Sequence, residues 1–101
     1  SLAAADDPTV RVPEAEAKKA LVTRVDPEYP PMARQMRLSG RVQVDAYIDE
    51  NGAVEKVQVV NGNPLLTSAA VNAVKKWKFN AITANGKPVK AVAGFTFDFK
   101  L

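Results

Sequence analysis

Asp45, Asp49 and Glu50 are the carboxylates whose spacing invites a metal or acid–base reading. Asp45 falls on the polar row of an alternating segment, while Asp49 and Glu50 stand beside Asn51-Gly52, a turn signal. No further ligand type joins them, because the chain has neither histidine nor cysteine. Their absence removes the usual general base, the thiol nucleophile, the zinc and haem ligands and any disulfide framework. Lys75, Lys76 and Lys78 form a second charged group, placed at the end of a helical pattern where cations suit the macrodipole. No enzyme, metal or cofactor is expected from these residues, and the expected role is binding.

The elements that must position a binding surface are those of a small domain. A chain of 101 residues has room for one modest core. Its 47% apolar and 25% charged residues are ordinary for a globular protein. Apolar runs are only a few residues long, too short to span a membrane. The net charge of +3 is mild. Without a glycine-rich loop or a basic–aromatic stripe, nucleic acid is not an expected partner.

Residues 1–20 read as a flexible tail or linker. Ala3-Ala4-Ala5 before Asp6-Asp7 is either the remnant of an export cleavage site or plain linker. Glu14 to Ala20 can form a short helix with Glu14 and Lys18 paired at i,i+4. The domain proper is 21–101. Leu21 to Val25 is a short strand. The prolines at 27, 30 and 31 then hold an extended elbow around Tyr29. Pro31 suits a first helical turn, and a short helix carrying Met32, Ala33, Met36 and Arg37 is expected to stop at Gly40.

From Arg41 to Ile48 the apolar residues Val42, Val44, Ala46 and Ile48 alternate with polar ones, and Val54 to Val60 returns after the turn. Leu65 to Phe79 is read as the main helix, with Leu66, Ala70, Ala73, Val74 and Trp77 on one stripe. After the Asn85-Gly86-Lys87-Pro88 turn, Val89, Ala91, Ala93, Phe95, Phe97, Phe99 and Leu101 hold every odd position, the clearest period-two pattern in the chain.

This order predicts an α+β fold: two helices on one face of a three-stranded antiparallel sheet in spatial order 2-1-3, with a short N-terminal strand as a possible addition. The helical crossover before the last strand makes the second and third strands parallel in direction, so the third lies beside the first. The third strand is then a long edge, blunted only by Lys90, Gly94, Asp98 and Lys100. Either the N-terminal segment or a second copy of the chain covers it, or it receives a strand from a partner.

The residues also resemble a known family. Pro27, Tyr29-Pro30, Ala33 and Gly40 are followed by the alternating strand, Asn51-Gly52, Val57, Val59-Val60 and Pro64-Leu65-Leu66. Ala69-Ala70, Ala73-Val74, Trp77, Phe79 and Asn85-Gly86-Lys87-Pro88-Val89 complete an ordered set that is similar to the TonB C-terminal domain family over about Leu21 to Leu101. Thr67 and Asn80-Ala81 depart from the family pattern near the ends of the main helix.

The resemblance implies a periplasmic binding domain of an energy transducer. The transducer would be anchored in the inner membrane by a helix outside these residues and driven by ExbB and ExbD. Its implied partner is a TonB-dependent outer-membrane transporter, whose TonB-box peptide adds as a strand. The expected contact residues are Val89, Lys90, Val92, Gly94, Thr96, Asp98 and Lys100, with Tyr29 and Pro30 of the elbow. A homodimer closed by the same edge, or a regulatory envelope protein using a similar domain, are the alternatives.

Overall fold

The computed structural model describes residues 9–101; the Ala3–Ala5 stretch lies outside them. The elements run β1 (Val10–Arg11), α1 (Glu14–Lys19), β2 (Leu21–Thr23), α2 (Pro31–Gln35), β3 (Gly40–Ile48), β4 (Val54–Asn61), α3 (Pro64–Val74), β5 (Lys78–Phe79), β6 (Thr83–Ala84), β7 (Lys87–Pro88) and β8 (Ala91–Phe99). The main sheet has four strands in the order β1-β8-β3-β4. β8 lies antiparallel to β3 with unbroken register, from Gly40 opposite Phe99 to Ile48 opposite Ala91. β4 returns antiparallel to β3, with register shifts between Gln43 and Val44 and between Tyr47 and Ile48. On the opposite edge β1 pairs with the start of β8 in parallel, Val10 opposite Ala91 and Arg11 opposite Val92.

The alternation of β3 and β8 is what builds the core. Val42, Val44, Ala46 and Ile48 are buried on one face, in line with Ala91, Ala93, Phe95, Phe97 and Phe99. Leu66, Ala70, Ala73 and Val74 of α3 close over that face and are equally buried. Trp77 stacks edge-on against Phe95, ring centroids 5.0 Å apart at 78°, and against Phe97 at 5.8 Å. These contacts interlock three large rings, an arrangement that contributes beyond simple area burial.

Several expectations are corrected. The stretch assigned to a tail enters the fold from Val10 onward: it forms β1 and α1, and Ala17 of α1 is fully buried in the core cluster. The short helix expected over Glu14 to Ala20 and a short N-terminal strand are both present; only the count of two helices changes, to three, and the added strand is parallel. The short helix α2 is not stopped by Gly40. Arg37 takes the left-handed conformation at φ 55°, the Leu38 amide bonds back to Ala33, and Gly40 begins β3.

The main helix is shorter than its apolar stripe. It ends at Val74, and Lys75 is its C-cap. Trp77 remains buried although it stands beyond the helix, with its indole Nε1 donating to the Val25 carbonyl at 2.8 Å. The chain is drawn off the helical path by pairing: Phe79 donates to Gly52 at 2.9 Å, and β5 pairs with β2. Lys78 is a strand residue, not part of a cationic helix end.

Candidate partner-binding edge

Hydrogen bonding along β8 decides which backbone groups face outward. The amide of Val10 donates to the carbonyl of Lys90 and that of Val12 to Val92, both at 2.9 Å. Alternate residues of a strand present their N–H and C=O groups to the same side. Gly94, Thr96 and Asp98 therefore continue the outward row, whereas Ala93, Phe95 and Phe97 turn theirs toward β3. The pairing with β1 stops at Val92. Pro13 follows, lacks an N–H and is the N-cap of α1, so the ladder cannot continue from that strand. Among the described residues no strand covers the outer side of β8 beyond Val92.

The nine expected contact residues thus fall into three groups. Val89, Lys90 and Val92 already have internal bonds: Val89 donates to Ile82 at 2.8 Å, and the Lys90 and Val92 carbonyls serve β1. Val92 is also buried, at 6% exposure. Gly94, Thr96 and Asp98 form the part without an outer strand partner, although α1 also packs against β8, and Lys100 lies just past the end of the strand. Tyr29 packs at the end of that strand, whereas Pro30 lines a cavity with Ser68, Ala69 and Asn72 of α3. The Tyr29 ring packs edge-on against Phe99 at 5.5 Å and 82°, its hydroxyl donates to the Leu38 carbonyl, and the Arg34 guanidinium covers it at 4.9 Å. Pro30 is half-buried as the N-cap of α2.

The solvent face of the sheet carries ordered charge. Arg11 reaches across β8 to Asp45 of β3, with Nη1 and Nη2 on the two carboxylate oxygens at 3.3 and 3.1 Å. Gly94 leaves room beside that pair, since a Cβ there would stand a tight 3.3 Å from Asp45 Oδ1. Arg41 Nε donates to Asp98 Oδ1 at 2.8 Å. This hydrogen bond foremost, with the cation's charge, holds the Asp98 carboxyl below its ordinary range and raises the Arg41 guanidinium. Lys90 approaches Glu55 at 3.8 Å. A cavity of about 520 Å³ opens beside the free end of the edge, lined by Gly40, Arg41, Asp98, Phe99, Lys100 and Leu101.

Asp45 is thus occupied by Arg11, and Asp49 works as a turn carboxylate whose Oδ1 accepts from the Asn51 and Ala53 amides at 2.8 and 2.9 Å. Among the described residues no group of three or more carboxylates is placed to hold a metal ion. Arg11 and Arg41 were not anticipated from sequence. The Val-Arg-Val alternation ahead of Pro13 is the signal for the first, and the β3–β8 register, which sets Arg41 opposite Asp98, is the signal for the second.

Comparison with known proteins matches this arrangement. The family model described as Gram-negative bacterial TonB protein C-terminal covers residues 25–101. The TonB protein of Vibrio cholerae is 34% identical over 87 residues, 83% of this chain and 36% of that protein. That of Salmonella typhimurium is 36% identical over 87 residues, 84% of this chain and 33% of that protein. The chain therefore spans about a third of the length of these relatives. The solution NMR structure of the Pseudomonas aeruginosa TonB C-terminal domain superposes with a TM-score of 0.67 at 30% identity, covering 80% of this chain and 84% of that one. This chain belongs to the family of Gram-negative bacterial TonB C-terminal domains.

Proposed function

We propose that this domain is the periplasmic, partner-binding end of a TonB-type energy transducer, and that it captures the TonB-box peptide of an outer-membrane transporter by strand addition to β8. The observation that carries this reading is the outer row of Gly94, Thr96 and Asp98, without a strand partner among the described residues, on a long strand whose inner row is fully paired. An added strand completes that ladder, main-chain bonds supplying affinity and alternate side chains supplying selectivity. Tyr29 flanks the end of the edge through its contact with Phe99. The remainder of the transducer would supply the inner-membrane anchor and the link to ExbB and ExbD, and force on the captured peptide would then open the transporter for uptake.

Thr96 is exposed and its amide faces outward, so proline at that position deletes one donor and places a ring against the incoming strand. Thr96→Pro is expected to weaken binding of a synthetic transporter N-terminal peptide by at least about tenfold in an amide NMR titration. Undiminished binding in a folded variant rules out this edge. A second copy of the chain on the same edge is the competing occupant. It predicts a mass that rises with concentration and is lowered by the same substitution.

A further inference from the structure

We propose that β1 is a built-in competitor for the partner edge, a strap that a longer incoming strand must peel away. The inference rests on the strand-addition reading and concerns the half of β8 that reading leaves occupied.

The strap is two residues long and lies on the same side of β8 that Gly94, Thr96 and Asp98 leave open. Its backbone ties include the bonds from Val10 to Lys90 and from Val12 to Val92. Its side-chain tie is the Arg11–Asp45 pair, in which the arginine side chain is 61% exposed and the aspartate 15%. The two-pronged geometry makes this pair the strap's firmest side-chain tie, but its arginine end lies in solvent and is open to screening by salt. Val10 is 39% exposed and Val12 is only partly buried against the core, so neither strap valine is locked in by full burial. The chain beyond the strap is held far better: Pro13 enters α1, and Ala17 is fully buried. β1 can therefore detach while α1 stays seated as its tether, and the tether keeps it close enough to return.

The edge is thereby divided. A short peptide can bond the outward groups of Gly94, Thr96 and Asp98 without touching β1. A peptide that runs on toward Lys90 needs the carbonyls of Val92 and Lys90, which Val12 and Val10 hold. Its apparent affinity is the intrinsic one multiplied by the fraction of molecules whose strap is open. Partner capture by a long peptide then frees the chain upstream of α1, coupling edge occupancy to the segment that leads into the domain.

The test uses the 101-residue chain, a synthetic ten-residue peptide from the N-terminal segment of an outer-membrane transporter, and its five-residue truncation. Amide exchange and NMR titration are read on wild type, Val10→Pro and Arg11→Ala. Val10→Pro deletes the donor to Lys90, and Arg11→Ala, a surface change, serves if the proline variant folds poorly. The expected result is that saturation of wild type with the long peptide strips protection from the Val12 amide. Val10→Pro should tighten the long peptide roughly three- to tenfold and Arg11→Ala about twofold, with the short peptide unchanged in both. Long-peptide binding that leaves Val12 protected and is indifferent to both substitutions overturns the strap while leaving strand addition intact. Failure of wild type to bind either peptide overturns the strand-addition reading and the strap with it.

Discussion

Gly52 shows how one residue ties the turn to the rest of the fold. It is buried at φ 87°, and a Cβ there would stand 1.8 Å from the Phe79 carbonyl oxygen. Its own carbonyl accepts from Phe79 at 2.9 Å, so the β3–β4 turn and the chain leaving α3 are fastened backbone to backbone. Gly52→Ala adds both left-handed strain and a backbone clash that no rotamer relieves. The expected loss is about 3 kcal/mol or more in urea unfolding. Gly86 is the control: it also has positive φ, at 78°, but a Cβ there meets nothing within 4 Å. Gly86→Ala should cost only about 1 kcal/mol, the conformational part alone. Equal losses at the two sites would show that the Phe79 contact is not what makes Gly52 necessary.

At the scale of the element, α3 is the helix that closes the core, and its start is fixed by local chemistry. Asn63 is the N-cap, its Oδ1 accepting from the Leu65 amide at 2.9 Å, and Pro64 occupies the first turn where no donor is needed. Thr67, a position where the chain departs from the family pattern, donates to the Pro64 carbonyl at 3.3 Å. Asn63→Ala removes the cap without touching the core. It should cost about 1 kcal/mol and lower the melting temperature by roughly 4–8 °C in a calorimetric scan. An unchanged melting temperature would mean that packing of Leu66, Ala70 and Val74 alone defines where this helix begins.

For the whole molecule, the absence of histidine sets the response to pH. No side chain here has an ordinary pKa between about 5 and 8, so stability is expected to be flat across that range. Among the described residues Asp98 is a carboxylate held down, by the hydrogen bond from Arg41 before any other cause. A carboxyl with a depressed folded-state pKa stabilises the fold above its unfolded value, and that contribution is lost as pH falls through the folded value. Urea midpoints should therefore agree at about pH 5.5 and 8 and decline only below about pH 4. Because Arg41 and Asp98 are both exposed, added salt should shrink the part of the decline due to this pair. A midpoint that moves between about pH 5.5 and 8 would contradict this account.

The alternating rows of β3 and β8, the apolar stripe of α3 and the α+β architecture were legible in the sequence. Each is a local periodicity imposed by one face meeting one core, and the buried rows from Val42 to Ile48 and from Ala91 to Phe99 follow it without exception on the core side. The alternation also marked the row of β8 that holds Gly94, Thr96 and Asp98. Tertiary structure alone decided where that row is open. β1 claims Lys90 and Val92 through bonds between segments far apart in the chain, and a two-residue strand carries no period to announce itself. The same limit explains α3, whose stripe runs on to Trp77 while the helix ends at Val74, because the indole can reach the core and bond Val25 from a non-helical backbone. Periodicity reports which side chains are buried. Which backbone groups are still unpaired depends on partners that only the folded chain brings together.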